Sequence, residues 1–167
     1  IQLVQIDSPW MDTETIVYRD LDEFFNLADS SEDEWEHTAA WLDTTSRDGR
    51  GIFIRGKTSG STKANIPNIS QRSLPFSPPF SLVNRLTCRP LSFTYYHKKK
   101  WGSGKDVQYC ESFLYPLDSW SNWNHIYGPK GFFQYQCLVP RVNGSETIRA
   151  ILKEVKRSGC ASFLSVL

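Results

Sequence analysis

The sequence predicts an α+β fold, an antiparallel or mixed β-sheet with two helices packed on one face, ferredoxin-like in character. Three observations predict it. Two amphipathic stretches at helical spacing, one near each end of the chain, each stand between runs rich in β-branched and aromatic residues. Hydrophobic residues make up 40% of the 167 and include six tryptophans, enough apolar surface for the core of one domain. No apolar run approaches the ~20 residues of a membrane helix, and a net charge of +1 gives no overall field toward nucleic acid, so no nucleic-acid partner is expected.

Residues 1–6 read as an entering strand closed by the turn at Asp7, Ser8 and Pro9. Residues 13–18 are a second strand. Asp20 is then a helix N-cap, with Glu23 completing a capping-box pattern, and Leu21, Phe24, Phe25 and Ala28 form the inward stripe. The acidic run 30–36 ends that helix as a solvated face. Strands at 36–43 and 51–56 follow, joined by a hairpin loop at 44–50. Trp41 sits in the first of them, where a tryptophan is plain core or a platform for a ligand.

From residue 57 to about 90 the texture changes. Pro67, Pro75, Pro78 and Pro79 break any periodicity, and a connection this long reads as a long, irregular, mobile insertion, either draped over the core or acting as a lid or apolar landing surface. Residues 91–97 return to strand, crowned by Lys98, Lys99 and Lys100, a solvated loop tip or a contact for phosphate or acidic lipid. Another strand is expected over 106–114, then a short helical turn within 119–125. Toward the end, Ser145 is the expected N-cap of a helix with Ile148, Ile151, Leu152 and Val155 inward and Gly159 just past its end, before a last strand at 161–167. Asn143, Gly144 and Ser145 match a glycosylation sequon but read better as the entry turn of that helix.

Between these lies the stretch on which function turns. Tyr127 to Lys130 reads as a turn, because glycine and proline suit no regular element there. From Phe132 to Pro140 the run is aromatic and β-branched, so a strand is expected, with Phe133, Tyr135, Cys137 and Val139 on one face. Gln134 and Gln136 then share the other face. Two amides on an otherwise apolar strand need partners, because a buried unpaired amide costs roughly 1–3 kcal/mol. Either neighbouring backbone or water satisfies them, or they line a polar pocket and grip hydroxyl groups.

Self-contained chemistry is missing. There is no G-x-G-x-x-G, no phosphate-binding G-x-x-x-x-G-K-[ST] and no G-x-S-x-G elbow. His37, His97 and His125 are scattered, and Cys88, Cys110, Cys137 and Cys160 form no C-x-x-C pair, so no metal site is expected and the cysteines read as free thiols in a reducing compartment. Taken alone, the chain is a binding or capping module. The rival readings are a non-enzymatic ligand-binding module and a peripheral membrane adaptor using the apolar insertion and the lysine run.

The block Trp-Asn-His-Ile-Tyr-Gly-Pro-Lys-Gly-Phe-Phe-Gln-Tyr-Gln-Cys-Leu-Val-Pro at 123–140 resembles a flavoprotein signature. So do Phe-Leu-Tyr-Pro-Leu-Asp at 113–118, Thr-Ala-Ala-Trp-Leu-Asp at 38–43 and Arg-Gly-Ile-Phe-Ile-Arg-Gly at 50–56. The family is the FAD-linked oxidases of the vanillyl-alcohol-oxidase type, in particular the decaprenylphosphoryl-β-D-ribose oxidase group, and the resemblance covers nearly the whole chain. It implies that residues 1–167 are most of a substrate-binding (cap) domain, in a longer polypeptide whose FAD-binding domain precedes Ile1. It implies that Gln134, Gln136 and Trp41 line the substrate pocket near the flavin. It implies oxidation of a secondary alcohol of a sugar, free or polyprenyl-phosphate-linked, to a ketone, with hydride passing to FAD and a reductase partner completing an epimerisation. The family's pocket tyrosine falls at Leu114 here, with Tyr115 one place along as the substitute substrate contact. The pocket lysines and cysteine of the family would lie beyond Leu167, so the isolated chain is expected to be inactive. The expected location is cytoplasmic, with association at the inner face of a membrane.

Overall fold

A computed structural model describes residues 6, 8–60, 72–73, 76–159 and 162–167. Its centre is β1 (Trp10–Tyr18), which pairs antiparallel with β3 (Gly51–Thr58) on one side and with β5 (Gly104–Tyr109) on the other. β2 (His37–Leu42) pairs antiparallel with β3, so the sheet order is β2-β3-β1-β5. A separate parallel pair joins β4 (Arg72–Ser73) to β6 (Trp120–Ser121).

Register decides which side chains meet. Ile16 lies opposite Phe53, and Phe53 opposite Ala40; Tyr18 and Leu42 both lie opposite Gly51. These side chains therefore share one face, and on it pack Leu21 and Phe24 from α1 (Leu21–Ser31) and Leu152 from α4 (Gly144–Ser158). The α+β class, the antiparallel sheet and the two periodic helices on one face are thus as the sequence predicts. At the start of α1 the Glu23 N–H donates to Asp20 Oδ1 at 2.9 Å, but the Glu23 carboxylate accepts from the Arg19 N–H at 2.7 Å rather than from Asp20. α4 ends on Gly159 at φ 69°, the left-handed conformation that glycine adopts without strain. Its N-cap position is Asn143, not the predicted Ser145, and no side chain closes it.

The opposite face holds the largest departure. Residues 85–101 are one helix, α2 (Arg85–Trp101), where a strand over 91–97 and an irregular segment up to 90 were expected. Two local features favour the helix. Asn84 Oδ1 accepts from the N–H groups of Leu86 and Thr87 while the Asn84 N–H donates to Thr87 Oγ1, a closed capping box. Cys88, Ser92 and Tyr96 recur every four residues and are buried, so burial on the sheet outweighs the strand propensity of Phe93, Thr94, Tyr95 and Tyr96. Tyr96 and Tyr95 pack there with Trp41, Ile52, Val17 and Ile54.

The β2–β3 hairpin is tied by Asp43, whose side chain is fully buried. Its Oδ1 accepts from the Thr45 N–H and hydroxyl, and its Oδ2 from Arg50 Nε at 3.0 Å. The Arg50 guanidinium lies 4.4 Å over the Tyr96 ring, so the hairpin is also pinned to α2.

Two other strands are shorter than predicted. β5 stops at Tyr109, and α3 (Cys110–Leu114) replaces the rest of the strand expected to 114. At the C-terminus the expected strand reduces to a bridge between Val166 and Trp41, with main-chain bonds joining Ala40 to Leu167 and Leu42 to Ser165. Apart from exposed Ile6, the expected strand at 1–6 lies outside the described residues, as do 61–71 and 74–75 of the expected insertion.

Candidate functional site

Local chemistry first builds an anchor. A 3₁₀ turn, Trp123–Tyr127, leads into Gly128 and Gly131, both at positive φ (66° and 65°), and the Gly131 N–H donates to the Gly128 carbonyl at 3.1 Å. Glycine is required at 128 for a second reason: a Cβ there would stand 2.9 Å from the carbonyl carbon of Phe80. The predicted turn at 127–130 is therefore present. Phe132 folds back on Tyr127 and Trp123, with ring centroids 4.6 and 5.5 Å apart.

Beyond this anchor the predicted strand does not form. Residues 132–140 have no regular structure, and from 132 to 139 no backbone group pairs with another described segment. Aromatic and β-branched residues favour a strand only beside a neighbour that supplies a ladder. Gln134 and Gln136 are exposed, and so are Phe133, Tyr135, Cys137 and Leu138. At its far end the segment is fixed again. Arg141, just past Pro140, forms ion pairs with Asp29 and Glu32 around the C-terminal end of α1, and these hold its own pKa above the usual arginine value. Residues 132–139 thus run as an unpaired span between an aromatic cluster and a charge cluster.

The other predicted site residues lie elsewhere. Trp41 is 8% exposed, between the sheet and α2, with its ring edge-on to Tyr95 at 4.9 Å and its Nε1–H donating to the Phe163 carbonyl at 2.7 Å. Tyr115 closes α3 and is 58% exposed. Because 110–114 are helical, Leu114 and Tyr115 do not take the opposite faces of a strand expected for them; both reach solvent. No hydrogen bond or ring contact among the described residues joins Trp41, Tyr115, Gln134 and Gln136.

Two groups beside the anchor were not expected as site residues. His125 lies in the 3₁₀ turn with Nδ1 buried and no hydrogen-bond partner among the described residues, which leaves one ring nitrogen available. Burial, and then proximity to Cys88, raises the Tyr127 hydroxyl above the usual tyrosine range. The signal available in the sequence was position alone: both fall inside the 123–140 block.

Comparison with known proteins adds one relationship. The chain is 32% identical over 153 residues to decaprenylphosphoryl-beta-D-ribose oxidase of Mycolicibacterium smegmatis, a match covering 83% of this chain. The chain spans about a third of that protein's length, 32%. No family model matches the chain.

Proposed function

We propose, from its similarity to decaprenylphosphoryl-beta-D-ribose oxidase, that this chain is the substrate-binding (cap) part of an FAD-dependent oxidoreductase that oxidises a secondary alcohol of a sugar, free or polyprenyl-phosphate-linked, to a ketone. The observation that carries the reading is the span 132–139. It holds Gln134 and Gln136, its backbone pairs with no other described segment, and it is largely exposed although five of its eight residues are Phe, Tyr, Leu or Val. Such a span is suited to a surface supplied from outside the described residues.

The residues present fit a covering role toward a flavin better than a holding one. Of the positive-φ glycines at 49, 104, 128, 131 and 159 only Gly128 and Gly131 share a turn, and no helix N-terminus follows it directly, so no glycine-rich cradle for a diphosphate forms among the described residues. FAD's phosphates would be held by the remainder of the polypeptide. When bound, FAD supplies the hydride acceptor. Gln134 and Gln136 donate and accept hydrogen bonds to sugar hydroxyls and so orient the carbinol. Phe133, Tyr135 and Leu138 exclude water around it. A reductase acting on the ketone would complete an epimerisation.

Absorption spectroscopy of the intact purified protein tests this. A flavin spectrum, bleached on addition of a polyprenyl-phosphate-linked pentose, is the expected result. A colourless protein that acquires no flavin on incubation with FAD would overturn it and leave a non-enzymatic ligand-binding module.

A further inference from the structure

The helix α2 is apolar on two sides. Its inward side, Cys88, Ser92, Tyr95 and Tyr96, packs on the sheet. At 100° per residue, Leu86, Pro90, Phe93, His97 and Trp101 fall in a single stripe pointing the other way. Leu86 is 86% exposed, Phe93 54% and Trp101 87%. Pro90 fits only there: its missing N–H forfeits the bond to the Leu86 carbonyl, which faces outward. Phe80 and Leu82, which precede the helix in sequence, are exposed as well.

Charge identifies what covers this stripe. Arg89 and Lys100 flank it on one side and Lys98 on the other, all three exposed and none ion-paired among the described residues. The helix contains no acidic residue. An apolar stripe with a terminal tryptophan, flanked on both sides by cationic residues of the same helix, is the pattern of a helix lying in a lipid interface, with rings at headgroup depth and long cationic side chains reaching the phosphates. Anionic headgroups supply the charge complementary to these flanks. No helix among the described residues is long and apolar enough to cross a membrane, so the contact is peripheral.

We propose that the outer face of α2 docks the protein on an anionic lipid surface, with Leu86, Phe93 and Trp101 inserted and Arg89, Lys98 and Lys100 on the headgroups. This site does not depend on the flavin reading, and its test uses no turnover. The intact protein is sedimented with phosphatidylcholine vesicles with and without phosphatidylglycerol. Binding to the anionic vesicles is expected, weakened by salt. The variant Arg89→Gln/Lys98→Gln/Lys100→Gln should lose on the order of a hundredfold in affinity, from three cationic contacts. Leu86→Glu/Trp101→Glu should abolish insertion while circular dichroism stays that of the wild type, since both side chains are exposed. Equal binding to both vesicle types, or binding unaltered in either variant, would overturn the proposal. So would shielding of Trp101 from a soluble quencher in the absence of lipid (read by difference against Trp101→Phe), since that face would then be covered by protein.

Discussion

The Tyr18 hydroxyl donates to the main-chain carbonyl of Trp41 at 3.0 Å, reaching across β3 over Gly51. A Cβ at position 51 would lie 2.2 Å from the Tyr18 oxygen and 2.1 Å from the Trp41 carbonyl. Neither neighbour can yield, since one is backbone and the other a fully buried ring. Gly51→Ala should therefore destabilise the chain by about 3 kcal/mol, the upper end of overpacking costs. Gly60→Ala, where a Cβ meets nothing among the described residues, should stay within about 0.5 kcal/mol. Urea unfolding of both variants checks the pair.

The same hydroxyl sets an alkaline limit. Burial, then the nearby Asp43 carboxylate, raises the Tyr18 pKa, and burial raises Tyr95 and Tyr96 as well. The folded state keeps these protons longer than the unfolded one. Their contribution to stability is thus fully present below the ordinary tyrosine value, about 10, and is lost as pH rises above it. Urea midpoints should be flat up to about pH 9 and fall beyond about pH 10, and Tyr18→Phe should flatten the fall.

Arg50 neutralises a carboxylate that has no access to water. Arg50→Ala should cost about 3 kcal/mol, because it leaves the Asp43 charge buried with only Thr45 to solvate it and removes the cation over Tyr96. Asp43→Asn in the same background should recover part of the loss. A double-mutant cycle by thermal unfolding measures the coupling.

These positions also show what the sequence discloses. β1, β2, β3, α1 and α4 were legible because each has a neighbour close in sequence or a full amphipathic period: Leu21, Phe24 and Ala28 on α1, Ile148 and Leu152 on α4. α2 was not, although Cys88, Ser92 and Tyr96 carried the helical period. Pro90 and the Phe93–Tyr96 run favour other structure locally, and only the sheet beneath decides against them. In 132–139 the error runs the other way: propensity and alternation favour a strand, but no ladder partner exists among the described residues. Gln134 and Gln136 were legible as unusual; their exposure was not, because alternation shows which residues share a face and not what the face meets.

Thiol chemistry reads that exposure directly. Cys137, in the span, is exposed, whereas Cys88 is buried, and its burial raises its pKa above the usual thiol value. In the isolated chain an aromatic disulfide reagent should modify Cys137 rapidly and Cys88 only on unfolding. In the intact protein Cys137 should react at least tenfold more slowly if the span faces a flavin and its substrate; Cys137→Ser identifies the signal.

Kinetics of the intact protein with Gln136→Ala bear most directly on the role of the exposed amides. Gln136 is exposed and no hydrogen bond joins its side chain to another described residue, so the melting temperature should not change. KM for the lipid-linked sugar should rise, or the rate of flavin bleaching fall, by about tenfold, the worth of one or two hydrogen bonds to substrate. Wild-type KM and bleaching rate in a stably folded Gln136→Ala protein would contradict the assignment of this span to substrate binding.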